Sequence, residues 1–299
     1  MWKKRFLGVS LILLLMTPGP IARGLSHTDA LGRTVDLPDS PRRVAALLGS
    51  FAEVWQLSGG DLCAAPDDAW SDYGLDLGDA LCIGGAHSPS AELLLSAMPD
   101  LALASAATTA HVELLPMLES AGIPVLYFHV NSFPEYLDML GLCTRITGRE
   151  DLYEKNGLRQ AKRIDEVKKS LPHEMPSVLL LRASSGLIRV KGGRDTLLGN
   201  MLLDLGCKNI ADNEGQTPEA LSLEYILRCD PGHIFVALMG DDSRAAEENL
   251  KKMMEENPAW GALSALREGR LHLMDRRLFS LKPNARWADA YEELAAILG

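Results

Sequence analysis

The chain has 299 residues, 47% of them hydrophobic and 23% charged, with a formal net charge of −10. That length allows one large domain or two lobes of about 130 residues, each able to bury a core. An acidic chain with no basic run is a poor nucleic-acid partner, because phosphate contacts need clustered Lys and Arg.

The N-terminus differs from the rest. "MWKKRFLGVSLILLLMTPGP" sets Lys3, Lys4 and Arg5 before an apolar run from Phe6 to Met16, and Pro18 and Pro20 follow. This is the layout of a secretory signal peptide, and the run is short for a membrane span. Ala22 and Gly24 suit cleavage near Gly24, so residues 1–24 are the expected signal; an uncleaved anchor is the rival reading. Cleavage removes Lys3, Lys4, Arg5 and Arg23 but no acid, taking the charge from −10 to −14. No Cys stands near the site, so the expected location is periplasmic, without a lipid anchor. The five cysteines, Cys63, Cys82, Cys143, Cys207 and Cys229, are odd in number and form no CxxC. Local Cys63–Cys82 and Cys207–Cys229 disulfides and buried free thiols all stay open.

Beyond the signal, "DALGRTVDLPDSPRRVAALLGS" predicts a hairpin and then a buried strand from Val44. A helix from about Phe51, a strand in "DLCAAP" and a polar aromatic loop, "DDAWSDYGLD", follow. Ser88 and Pro89 predict the cap and first turn of a short helix to about Ala97, with a strand from Leu101 after it. "HVELLPMLESAGIPVLYFHV" adds a helix, a turn and a strand from Val125. Strands alternating with helices indicate a mainly parallel, doubly covered sheet. From Phe133 to Leu171 no strand pattern interrupts; Tyr153, Ala161, Ile164, Val167 and Leu171 mark one long amphipathic helix that stops before Pro172. Alternation restarts in "SVLLLRA", "LLGNMLLDLG", "HIFVALMG" and "GRLHLMD", and a helix closes the chain. Trp55, Trp260 and Trp287 fall in apolar helical patterns and read as core, and "KKMMEENP" reads as a solvated helix end.

The expected fold class is therefore α/β: two lobes, each a mainly parallel sheet flanked by helices, joined by one long spanning helix. The expected bounds are 25–148 for the first lobe, 149–172 for the helix and 173–299 for the second lobe. A short phrase recurs across them. "SAELLLSAMPDLALAS" from Ser90 and "SLEYILRCDPGHIFVA" from Ser222 each carry a Glu, an apolar turn, a Pro seven residues after the Glu and an apolar run. The repeat points to two lobes of related design.

These pieces, together with "AGIPVLYF", "GGRDTLLGNMLLDLGCKNIA" and "NPAWGALSALREGRLHLMDRRLFSLKPNARWADAYEELAAIL", resemble the extracytoplasmic substrate-binding proteins of ABC importers for ferric siderophores, haem and cobalamin. The resemblance runs from about Thr28 to the C-terminus. It implies a monomer that holds an iron chelate or cobalamin in the cleft between two lobes and delivers it to a permease dimer, with no intrinsic cofactor. It also implies that Glu92 and Glu224, one per lobe, dock on permease arginines; the bland reading is that each carboxylate merely favours a helix N-terminus.

In such a protein the cleft is walled by loops at strand C-termini. The matching candidates in the first lobe are Ser50, Phe51, Trp70, Tyr73, Gly85, His87, Ser105, Thr108, Tyr127, Phe128 and His129. In the second they are Arg182, Ser184, Ser185, Arg194, Met239, Asp241 and the run from Phe279 to Lys282. Trp70 and Tyr73 offer a flat wall for a macrocycle or catecholate, while Arg182 and Arg194 suit an anionic chelate or propionates. One aromatic plugging its lobe and arginines lying on the surface are the plain alternatives. His87 and His129 are candidate axial ligands to a bound macrocycle, against the commoner reading as ordinary cleft-edge or core residues. The seven histidines contain no HxH or HExxH, so a preformed metal cage is not signalled. The chain lacks a GxxxxGK[ST] loop and a GxSxG elbow. An exported enzyme, or a sensor or relay module on the same scaffold, is the alternative, since fold does not fix function.

Overall fold

The computed structural model describes residues 25–213, 217–218, 221–240 and 242–299. The expected signal peptide and Asp241 lie outside them. Two five-stranded sheets organise the chain. In the first, the strands run in the order Leu81–Cys82, Leu62–Ala65, Val44–Ala46, Leu101–Ser105, Val125–Phe128, all parallel. In the second, Ile188–Val190, Ser177–Ala183, His233–Leu238 and Leu271–Met274 lie side by side, with Lys208–Asn209 also on Ser177–Ala183. Only the Ile188–Val190 pairing is antiparallel.

The repeated phrase folds the same way twice. Ser90 Oγ accepts the Leu93 N–H at 3.3 Å and caps the helix Ala91–Ser96; Ser222 Oγ accepts the Tyr225 N–H at 3.2 Å and caps Leu223–Cys229. Each helix ends in a non-glycine residue of positive φ directly before the Pro, Met98 (46°) in one lobe and Asp230 (40°) in the other. Each Pro then leads into a central strand of its sheet. The helix therefore starts at Ser90, not Ser88. Ser88–Pro89 pairs with Gly84–Gly85 in a small hairpin, because the hydroxyl that caps the helix is that of Ser90, the residue after Pro89.

A second correspondence is one the sequence reading missed. The Asp68 carboxylate accepts the Gly49 N–H at 3.1 and 3.2 Å, and the Asp212 carboxylate accepts the Gly193 N–H at 2.9 and 3.1 Å, each pair 19 residues apart. Gly49 stands where the chain leaves strand Val44–Ala46 and Gly193 where it leaves strand Ile188–Val190, and neither has room for a Cβ.

The predicted spanning helix runs from Glu150 to Ser170, but not as one regular α-helix. Glu154–Leu158 is a π-helical turn between Glu150–Tyr153 and Arg159–Ser170. The first lobe's last helix, Phe133–Thr147, ends separately at Gly148, whose φ of 70° is the left-handed conformation that favours glycine. Asn156, inside the π turn, donates to the Leu57 carbonyl at 2.7 Å, and its own carbonyl accepts from Tyr136 at 3.0 Å. Beyond the turn, Arg163 binds Asp289 and Glu292 of the closing helix Trp287–Leu298 at 2.7–2.9 Å.

One apolar cluster extends from Val44 and Phe51 through Tyr136 and Ile164 to Leu180 and Trp287, so the two sheets share a core around the connecting helix. Trp55, Trp260 and Trp287 are all buried, as their patterns predicted. All five cysteines are free thiols. Among the described residues no helix is long and apolar enough to cross a membrane.

Candidate functional site

The C-terminal ends of both sheets face the junction of the lobes. Gly49–Leu57, the helix after Val44–Ala46, brings Ser50 and Phe51 there, and the short helix Asp68–Ser71 brings Trp70, Asp72 and Tyr73. The second lobe answers with Arg276–Phe279 and the turn at Asn284, following strand Leu271–Met274.

Where these segments meet, the contacts are polar and charged. Asp72 holds Arg276 with two bonds of 2.7 and 2.9 Å. The Arg277 guanidinium lies 4.6 Å from the Tyr73 ring centroid, and the Tyr73 hydroxyl accepts the Lys282 N–H at 3.2 Å. Asn284, at a φ of 47°, donates to the Ser50 carbonyl at 2.9 Å and to Glu53 at 2.6 Å. Burial raises the Glu53 and Asp68 carboxyls above their usual range and lowers the Lys282 ammonium. Two guanidinium nitrogens, Arg182 Nε and Arg277 Nη1, are buried without a hydrogen-bond acceptor among the described residues.

The predicted residues separate into groups. Ser50, Phe51 and Tyr73 reach the junction, but they are buried by lobe–lobe contacts and form its floor; Phe51 packs edge-on to Phe128 at 5.9 Å. Phe279, 1% exposed, belongs to the same buried floor. Trp70 is only partly buried, and His87 is exposed at the tip of the Gly84–Pro89 hairpin. Arg182 and Ser184 line a recess of about 230 Å³ with Leu187, Arg189, Lys191 and Met239. Arg194 is exposed outside that recess.

Other placements differ from the expected cleft wall. Tyr127 is buried and donates its hydroxyl to the His111 carbonyl at 2.7 Å, inside its own lobe. Ser105 is also buried, and its N–H donates to His111 Nδ1 at 3.1 Å. His129 is exposed, pairs with Glu135 at 3.0 Å, and faces a separate groove shared with His27, Asp138 and Arg145. Glu92 and Glu224 are both exposed, in the first turns of their matched helices.

The sequence reading missed His111, Arg189, Lys191, Asp72 and Arg276. Arg189 and Lys191 alternate with Val190 in "IRVK", a pattern that sets both on one face of a strand. His111 carries no such signal, because its role depends on Ala86 and Ser105 being folded around it.

A family model described as periplasmic binding protein matches residues 44–278. The chain belongs to that family. The periplasmic binding protein family comprises substrate-binding proteins of transporters. A protein of Bacillus subtilis (strain 168) that carries the name of an ABC transporter substrate-binding lipoprotein, YhfQ, is 23% identical over 279 residues, 88% of this chain and 84% of that one. Among solved structures, Staphylococcus aureus SirA complexed with staphyloferrin B covers 91% of this chain and 98% of its own, at 19% identity and a TM-score of 0.71. S. aureus IsdE complexed with heme covers 86% and 98%, at 14% identity and a TM-score of 0.71. At such identities the likeness to both structures is one of fold.

Proposed function

We propose that this periplasmic binding protein captures a metal chelate, a ferric siderophore or haem before cobalamin, between its lobes and delivers it to an ABC permease dimer. The observation that carries the reading is the paired display of Glu92 and Glu224. The same capped helix stands before a central strand of each lobe, and each presents its carboxylate to solvent at the second helical position. Two matched acids on two matched lobes form a footprint for a two-fold basic partner, where charge sets orientation and on-rate. The ligands in the SirA and IsdE structures, staphyloferrin B and heme, support the ligand class. Trp70, His87, Arg182, Ser184 and Arg194 are the residues we assign to the ligand, above a floor of Ser50, Phe51, Tyr73 and Phe279. Ser105 supports the cleft loops from behind; Tyr127 and His129 are assigned no contact.

The protein acts as an exported, monomeric carrier, not as an enzyme. We place it in a periplasm without a lipid anchor, the one respect in which it parts from the lipoprotein named above. The test is the Glu92→Ala, Glu224→Ala double variant, compared for ligand affinity and for uptake in cells. Unchanged affinity with lowered uptake is expected. Collapse of ligand affinity would move both residues into the pocket and sink the docking role.

A further inference from the structure

Among the described residues three other than glycine hold a positive φ: Met98, Asp230 and Asn284. For two of them the side chain offsets the strained backbone inside the molecule. Asp230 Oδ1 accepts the Ser264 N–H at 2.8 Å, and Asn284 donates to Ser50 and Glu53. Met98 is different. Arg43 Nε donates to the Ala97 and Met98 carbonyls, each at 3.1 Å, and so holds the turn. The Met98 side chain, 69% exposed, is the most exposed large apolar group among the described residues. A bulky residue at positive φ is a genuine outlier, and glycine would make the same turn without that strain. Backbone strain kept for a side chain left largely in water points to a partner outside the chain.

Met98 closes the helix that carries Glu92, and the position it matches in the second lobe is Asp230. The two helices agree in backbone and differ in what they display. Beside Glu92 stand Leu93, 38% exposed, and Met98. Beside Glu224 stand Tyr225, Arg228 and Asp230, with the Arg228 guanidinium 5.1 Å from the Tyr225 ring centroid. The first patch is one acid with apolar neighbours, and the second is a mixed-charge surface. A socket shaped for Leu93 and Met98 would strip water from Arg228 and Asp230 without replacing it, so two identical sockets cannot suit both lobes. We infer that the permease presents two unlike halves. One sets an apolar socket beside its basic residue and takes Met98 and Leu93; the other offers polar groups of both signs to Glu224, Arg228 and Asp230. The protein then docks one way round, its first lobe always over the same half. Single exposed apolar residues are common on any protein surface. Here the apolar pair adjoins Glu92 and one member sits on a strained turn, which chance exposure does not explain. The inference rests on the importer reading and narrows its partner.

The test is photo-cross-linking in the native host. The full mature chain carries a benzophenone side chain in place of Leu93 or, separately, of Tyr225, which keeps one position apolar and the other aromatic. Adducts are digested and sequenced by mass spectrometry. The expected result is that the two positions label permease segments of different sequence. Met98→Gly should melt no lower than the parent and yet cut the adduct from position 93 at least fivefold. Met98→Asp, which copies the second lobe, should cut it as far. Two outcomes overturn the inference and leave the importer reading standing: both positions labelling one permease segment in similar yield, or Met98→Gly giving as much adduct as the parent. No adduct with any membrane protein from either position sinks the inference together with the docking role of Glu92 and Glu224.

Discussion

The Asp72 carboxylate clasps the Arg276 guanidinium through two bonds of 2.7 and 2.9 Å, joining residues 204 positions apart and belonging to different lobes. Both side chains are at least three-quarters buried. A fork-to-fork pair of this kind fixes direction as well as distance. It therefore sets how the second lobe faces the first at the edge of the cleft.

Breaking that clasp from one side leaves a partly desolvated charge behind. Asp72→Asn is expected to cost about 1–3 kcal/mol of stability, at the lower end where water enters to solvate Arg276. Urea denaturation measures it. A variant as stable as the parent would show that the pair contributes orientation alone.

Gly49 predicts its own intolerance. A Cβ there would stand 2.7 Å from the Ala69 nitrogen and 2.8 Å from Tyr73 Cδ2, and at Gly193 it would meet Leu203 and Asp212 at 2.6 Å. Gly49→Ala should lower stability by about 1–3 kcal/mol through overpacking. Gly193→Ala should cost less, because its obstacles are side-chain ends that can move. Thermal melts of the two variants side by side check the order.

His111 gives the fold a pH dependence whose sign follows from its bonds. Nδ1 accepts the Ser105 N–H, so Nε2 carries the proton and donates to the Ala86 carbonyl at 2.7 Å. Burial holds its pKa below the ordinary histidine value. The unfolded chain therefore takes up a proton before the folded one, and this residue's share of stability is present above about pH 6.5 and lost as pH falls. His111→Gln should be less stable at pH 7 but lose less on going to pH 5, the slopes differing by up to about 1.4 kcal/mol per pH unit. Parallel slopes would remove His111 from the account.

Trp70, which we assign to the ligand, is partly buried, where Trp55, Trp260 and Trp287 are core. Trp70→Ala is expected to weaken ligand binding about tenfold, since an aromatic wall contributes on the order of 1–2 kcal/mol beyond area. Titration calorimetry is the measurement, and an unaltered affinity would assign Trp70 to packing.

Local signals made most of the fold legible. Period-two and continuous apolar runs located the strands from Val44, Leu101, Val125, Ser177 and His233, and the Ser–Glu–Pro phrase marked equivalent helices in both lobes. The Ser88–Pro89 reading failed because two Ser residues bracket Pro89, and only the backbone path decides which hydroxyl meets a free N–H. The cleft was half legible. Strand ends pointed to Ser50 and Arg182 and the aromatic loop to Tyr73, but no sequence period says that Asn284 and Arg277 will close over Ser50 and Tyr73. Tyr127 looked like a wall residue because it stands near the end of a strand; its hydroxyl instead found the His111 carbonyl in an earlier helix of its own lobe.

The π turn at Glu154–Leu158 has a consequence for the azimuth of the two lobes. A π turn closes its hydrogen bonds over one residue more than an α turn, and in a regular helix each residue advances the phase by about 100°. The surplus residue is taken up as a local bulge, because the residues of the wider turn cover about the arc that one fewer would cover in an α-helix. Arg163 and Gln160 therefore keep the phase that faces them toward Asp289, Glu292 and Asn284. Shortening the turn by that residue would restore a plain α-helix and leave Asp72 and Arg276 in line, at the expense of the contacts Asn156 makes with Leu57 and Tyr136.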